Sequence, residues 1–546
     1  MAGLLTVVGG STVIARMLQV VLGSLSCALA YGIGAKCYGQ RVGIVTGLLC
    51  ALYWVLAYFD AQFLQPVLLI FLLLVGFLFL FTSAERGDPR RAGLGGLAFG
   101  LYSITRPEIL LFFPLALWWA YRIARSLPRS VGRWFLILLL LGLAAPPALV
   151  ALRNSFVGRD WVIIASPGGV NFYIGNNPES NGMQAVVPGT RATWWGGYED
   201  TRAIAERASG RSLKPSEVSD YWFRRGVTFI RERPSEWLVL TLRKAALFIG
   251  NVEIPNNEPY EAQRRSYWSL RSIPLGFGVL FALFLVSLPH ALTRRSKAPR
   301  GGEDDLRRGF MKLILQCVLV YSLVVVAFFV TGRFRVPLVP LIAVGAAATL
   351  VRLVDFFRRR RFPVAGAMLA AAVLITGTLN ADYFSVRRAT RGFVEYTSAL
   401  DALESGDTDT AISRLEAIRR SGVIRTPEVY LALARAYIAR DGPRDRVAVL
   451  EVAEDGLRFF PDEAELLWYS CLGHLVAKNL DNSRTRIEHY LTLRPNDVRA
   501  LRIAFSVAMA QGRLADARAF LSRAEMVDPA NPLVGQMRRE LGAAGP

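Results

Sequence analysis

Histidine and cysteine are scarce in this chain, at 3 and 5 of 546 residues. Cys27, Cys37, Cys50 and Cys317 lie in or beside apolar runs, and Cys471 stands alone in the polar C-terminal part. That placement excludes a disulfide scaffold. His474 and His489 have no second ligand at a metal-site spacing, so they read as helix-face residues and no metal ligands are assigned. Acid is missing from the beginning of the chain, where no Asp or Glu precedes Asp60. A net charge of +21 would suit a nucleic-acid partner, but a composition that is 53% hydrophobic does not, and no nucleic acid is expected. The length also exceeds what one compact soluble domain usually holds.

What is present is a set of long apolar runs, all before residue 390. Residues 1–390 hold 43 basic and 21 acidic side chains, whereas residues 391–546 hold 21 and 22. The reading is therefore two domains, a membrane part at 1–390 and a soluble part at 391–546. Spans are expected at roughly 11–31, 42–59, 63–82, 93–105, 108–121, 134–152, 273–291, 310–330, 336–353 and 363–381, because a bilayer core of ~30 Å takes ~20 helical residues. The 93–105 and 108–121 runs are short and meet at Thr105-Arg106-Pro107-Glu108; Pro107 predicts two short helices with a polar turn.

Alternate loops carry 20 basic residues against 6 acidic ones, including Arg122 to Arg133 and Arg358 to Arg361. By the Lys/Arg rule these loops are cytoplasmic. The opposite, extracytoplasmic side then receives Asp60, Arg106, the Thr331–Arg335 turn, a long loop at about 153–272 and everything after about 382. The expected location is a bacterial-type inner membrane with the C-terminal domain outside. This topology runs the first span from outside to inside without a leader in Met1–Ser11, which predicts that an upstream helix is missing.

Pro427, Pro461, Pro495 and Pro529 are each 34 residues apart, and helical patterns rich in small residues run between them. The period and the terminal proline resemble tetratricopeptide repeats. About four helical hairpins are expected over 393–530, with a capping helix near 531–542. Such an array offers a groove for a peptide or protein partner.

Ordered motifs mark the membrane part. They are Arg16-Met-Leu-Gln19, Tyr38-Gly-Gln-Arg41, Tyr58-Phe-Asp60, Thr105-Arg106-Pro107, Asn171-Phe-Tyr-Ile-Gly175-Asn176-Asn177-Pro178, Glu253-Ile-Pro-Asn256-Asn257 and Arg333-Phe-Arg335-Val-Pro337. Their order over residues 11–355 resembles glycosyltransferase family 39, the dolichyl- or polyprenyl-phosphate-dependent mannosyltransferase-like proteins. The resemblance implies an all-α, polytopic GT-C fold of about ten spans followed by the helical solenoid. It also implies a membrane enzyme that takes sugar from a polyprenyl-phosphate carrier outside the cytoplasm and passes it to a protein, lipid or glycan. No Gly-rich nucleotide domain is evident, in keeping with such a donor.

That chemistry asks for a carboxylate near the acceptor hydroxyl and cations at the leaving phosphate. Arg333 and Arg335, before Pro337 at the outer end of a span, are the first phosphate candidates, since guanidinium forks onto phosphate oxygens. Arg106 is the second. Asn171, Asn176 and Asn177 suit sugar hydroxyls or turn capping. Glu253, Asn256 and Asn257 are expected at the rim of the cavity. The helix predicted at Pro234 to Gly250, with Arg243 and Lys244 as its basic residues, is expected in the outer interface. The family's leading acid falls in a first extracytoplasmic loop that precedes this chain's beginning, so Asp60 is assigned only a secondary role with acceptor or metal. A divalent cation, Mg or Mn, is the only cofactor considered. Alternatives are a non-enzymatic membrane anchor for the repeats, or an oligosaccharide polymerase or ligase. Scarce intramembrane charge argues against a transporter.

Overall fold

The computed structural model describes residues 12–183, 185–191, 194–255, 260, 264, 267–273, 275–293, 303–382, 384 and 386–543. Among these residues the protein is all helical, with no strand and a single isolated bridge between Tyr53 and Leu275. The chain divides into two compact units, Met1–Val187 with Tyr198–Val386, and Pro188–Gly197 with Arg387–Pro546.

The first unit is an integral membrane bundle. Six of its helices are long and apolar enough to cross a bilayer: Thr12–Tyr38, Pro66–Arg86, Arg129–Phe156, Glu303–Ala327, Gly332–Arg358 and Phe362–Asn380. Two further apolar helices, Gln40–Ala51 and Phe277–Leu292, are shorter. The expected single span at 42–59 is a correction: it breaks at Leu52 and Tyr53 into Gln40–Ala51 and Trp54–Ala61. Tyr53 is extended there, with φ −93° and ψ 104°, and bridges to Leu275 instead of continuing the helix.

The turn at 106 is longer than expected. The Pro89–Thr105 helix ends at Arg106, a 3-10 turn runs over Pro107–Phe112, and Phe113–Ala124 follows. Arg106 is extended, at φ −136° and ψ 90°, because the proline ring after it crowds the helical region. Glycine lets the helices on either side of this region approach closely. A Cβ on Gly96 would come 2.5 Å from the Leu139 carbonyl oxygen, and one on Gly142 would come 2.4 Å from that of Gly93. Pro89–Thr105 and Arg129–Phe156 therefore pack backbone to backbone, as membrane helices with small residues do. At Gly39, φ is +95°, which lets the chain reverse between Thr12–Tyr38 and Gln40–Ala51.

The core between these helices is aromatic. Phe77, Phe99, Phe112 and Phe310 meet at centroid distances of 5.2 to 5.9 Å, mostly edge to face.

The second unit is a solenoid of helical hairpins. Val386–Glu404 pairs with Thr408–Ser421, Pro427–Arg440 with Asp445–Leu457, Ala464–Val476 with Leu480–Leu493, and Val498–Ala510 with Leu514–Val527; Pro532–Ala543 caps the row. Each proline of the 34-residue period falls in the turn after a hairpin or on the first residue of the next helix, where its missing N–H costs nothing. Side-chain caps begin the helices: Asp497 accepts from the Arg499 and Ala500 amides, and Asn479 from the Asn482 amide. Leu433, Leu466, Leu467, Leu501 and Phe505 are fully buried between them.

Candidate active site

Three segments far apart in sequence converge in the membrane unit. The helix Trp54–Ala61 packs Tyr58 and Phe59 edge to face on Tyr260, at 5.3 and 5.7 Å. The edge of Tyr260 lies against Gly332, where a Cβ would stand 3.2 Å from Cε2. Gly332 opens the short helix Gly332–Arg335 that carries both nominated arginines. Tyr260 had no sequence signal of its own, because its partners lie about 200 residues upstream and 72 downstream.

The two arginines part company. Arg335 points into the protein and is 1% exposed. Its Nη1 donates to the carbonyls of Phe248 and Gly250, and its Nη2 to that of Val252. The same Nη2 lies 2.9 Å from Glu253 Oε2, and the guanidinium stacks 4.1 Å over the Phe277 ring. Glu253, also buried, accepts from the Tyr53 hydroxyl at 2.7 Å. The expectation that Arg335 meets phosphate is therefore corrected: both terminal nitrogens are occupied by four protein oxygens. It is a pin joining residues 53, 248–253 and 335, and Glu253 is its counter-charge. Burying the pair is tolerable because three carbonyls take protons of the terminal nitrogens, although Arg335 Nε has no hydrogen-bond partner among the described residues.

Arg333, two residues earlier, is half-buried, and its Nε has no hydrogen-bond partner among the described residues. Its guanidinium lies 5.3 Å from the centroid of the Phe334 ring, and that of Arg106 lies 4.2 Å from the same ring. Arg106 Nη1 is 3.4 Å from Glu108 Oε1. Two guanidinium groups thus share one aromatic ring with one carboxylate beside them. This leaves an excess of positive charge in a partly desolvated turn, an arrangement that suits a phosphate.

Asp60 sits in a seat made by the first helix. Gln19 Nε2 donates to the Gln62 carbonyl at 2.8 Å, and Arg16 lies 5.1 Å over the Phe63 ring. Gly23 continues the same helix face, one turn beyond Gln19. A Cβ on Gly23 would fall 2.2 Å from Asp60 Oδ1, so only glycine leaves room for this carboxylate. Burial pushes the Asp60 carboxyl up to about 7. A carboxylate that titrates near neutrality suits proton transfer.

The asparagines divide likewise. Asn176 and Asn177 are each 1% exposed. Asn176 donates to the Phe172 and Ala327 carbonyls, and its Oδ1 accepts from Trp237 Nε1 and Lys244 Nζ. Asn177 donates to the Tyr173 and Ile174 carbonyls and accepts from the Glu179 amide. Of the two readings, sugar hydroxyls or turn capping, these contacts are those of turn capping. Asn171, on the helix Gly168–Gly175, is half-buried. Asn256 and Asn257 lie outside the described residues.

Lys244 departs most from expectation. The helix Pro234–Ile249 does expose Leu238, Val239 and Leu242, but Lys244 is fully buried, not interfacial. Its ammonium reaches the Gly175 carbonyl at 2.9 Å, Asn176 Oδ1 at 3.2 Å and the Phe328 carbonyl at 3.1 Å. It ties the ends of Gly168–Gly175 and Glu303–Ala327 together, just ahead of Arg333. Burial draws its pKa down to about 8.

Residues 1–149 match the family model of dolichyl-phosphate-mannose-protein mannosyltransferase. The match makes residues 1–149, the first part of the membrane unit, similar to that family. It covers Asp60, Gly23 and Arg106, whereas Glu253, Arg333 and Arg335 lie beyond it. A solved structure of a thermophilic tetratricopeptide-repeat protein from Thermus thermophilus is 18% identical, with a TM-score of 0.22, and covers 36% of this chain and 96% of that one. No curated protein matches the chain.

Proposed function

We propose that the protein transfers a sugar from a polyprenyl-phosphate carrier to a hydroxyl-bearing acceptor at the extracytoplasmic face, and that its repeat domain recruits the acceptor or a protein partner. The observation that carries the reading is the pair of guanidinium groups of Arg106 and Arg333 around Phe334, which Gly332 and Tyr260 link to Tyr58 and Phe59 of the helix that holds Asp60. In the proposed reaction the acceptor oxygen attacks the anomeric carbon while the bond from that carbon to the phosphate oxygen breaks. The bonding electrons leave with the polyprenyl phosphate, and Arg106 and Arg333 hold its growing charge. The acceptor proton passes to the Asp60 carboxylate. The apolar faces of the spans accept the isoprenoid tail. Among the described residues no three His, Cys, Asp or Glu side chains converge as a metal site.

The test is transfer of mannose from polyprenyl-phosphate mannose by the full chain in proteoliposomes, scored on glycan, lipid and protein acceptors. Removing an electrostatic donor of this kind costs about 10²–10³ in rate, so Arg333→Ala should lower kcat/KM by roughly that factor. Equal rates in Arg333→Ala and the parent would sink the phosphate assignment. No transfer to any acceptor would leave the membrane unit as an anchor for the repeats.

A further inference from the structure

A cavity of about 250 Å³ lies against Glu253 of the Arg335–Glu253 pin. Its wall is formed by Trp54, Asn251, Glu253, Arg264, Val279 and Asn380, with Gly276 between them. The volume is that of about eight waters at ~30 Å³ each, which is the scale of one pyranose ring and far below that of an isoprenoid tail.

The wall is built. Asn251 Oδ1 accepts from the Gly278 amide at 2.7 Å, and its Nδ2 donates to Asn380 Oδ1 at 2.6 Å. Asn380 in turn donates to the Thr376 carbonyl. Arg264 stacks 4.8 Å over the Trp54 indole and uses one Nη on the Ile273 carbonyl. These bonds fix the polar atoms and leave capacity unspent: a second Nδ2 proton on Asn251, further guanidinium protons on Arg264 and free lone pairs on Glu253. One edge is apolar, through the indole and Val279.

Charge sorts the two compartments. The Arg106–Arg333 turn has two cations and one carboxylate and suits phosphate. The cavity has one cation stacked on an indole, a carboxylate and two neutral amides. Among the described residues its wall holds no second cation to fork on a phosphate, and its polarity would strand a hydrocarbon tail. Mixed donors and acceptors beside an aromatic edge fit a neutral polyhydroxyl ring.

We propose that this cavity binds a neutral sugar ring, either the group being transferred or the sugar that receives it. The proposal rests on the glycosyl-transfer reading and names the substrate class its second compartment takes.

The test uses the full chain in detergent with the methyl glycosides of mannose, glucose and N-acetylglucosamine as probes, read by saturation-transfer NMR. At least one glycoside should bind. Val279→Phe, which fills the cavity, and Arg264→Met, which removes its free donors, should each weaken binding at least about tenfold. A melting temperature near the parent's certifies each variant, and either one suffices. Binding that persists in both variants, or absent binding of all three glycosides, overturns the proposal. Displacement of the glycoside by an equal concentration of inorganic phosphate also overturns it, since the site would then select anions. Polyprenyl-phosphate mannose separates the sources: a donor that expels the glycoside assigns the cavity to the transferred sugar, and joint binding assigns it to the receiving sugar. Glycoside binding in Arg333→Ala separates this idea from the phosphate reading, because loss of donor use with retained glycoside binding upholds both.

Discussion

Two arginines separated by one residue perform different tasks, and a pair of substitutions shows it. Arg335→Ala leaves the Glu253 carboxylate buried without its partner, which costs about 3–5 kcal/mol; the variant should melt well below the parent or fail to accumulate. Arg333→Ala should melt with the parent and lose donor turnover. Equal melting temperatures for the two variants would refute the division. Sequence alone grouped them, because both precede Pro337 at a span end; the direction of each side chain depends on residues 248–253 and 277, which no local pattern announces. Asp60 was legible as the first acid in the chain. Its seat was not, since Gly23 carries no sign of what packs on it. The raised pKa fixes a sign: below about 7 the carboxyl holds its proton and cannot accept another, so kcat/KM should rise with pH through that value. Asp60→Asn should abolish the rising limb, and a limb that survives it belongs to another group. Lys244 gives a stability test of opposite character. Between about 8 and the ordinary lysine value of 10.5 the unfolded chain holds a proton that the folded chain has released. Stability should therefore climb with pH across that window, a slope that Lys244→Met should erase in melting curves.

At the level of elements, hydropathy found most helices and misjudged their interruptions. The polar turn at Arg106 was readable because Pro107 dictates it. The break at Tyr53 was not, for the run 42–59 is apolar throughout and the cause is a tertiary contact, the bridge to Leu275. The helix pair Pro89–Thr105 and Arg129–Phe156 depends on absent side chains. Gly142→Leu would drive a side chain toward the Gly93 carbonyl, already 2.4 Å from where a Cβ would sit. It should separate the pair and reduce the yield of folded protein in fluorescence-detected gel filtration, while leucine at the open position Gly377 should not.

Across the molecule, the basic charge is the most informative global quantity, because it sorts loops by side before any helix is placed. Alkaline phosphatase fused after residue 359 should stay inactive in a bacterial host, and the same fusion after residue 405 should be active; the reverse pattern would invert the topology. The 34-residue period was fully legible, since each hairpin is a local unit, whereas the membrane site joins positions 53, 106, 253 and 333 and could be read only as separate motifs. Their meeting point has a mechanical corollary. Glu253 forms part of the cavity wall and holds Arg335, which stands two residues after Arg333. One buried ion pair thus borders the cavity with its carboxylate and anchors the Gly332–Arg335 helix with its guanidinium.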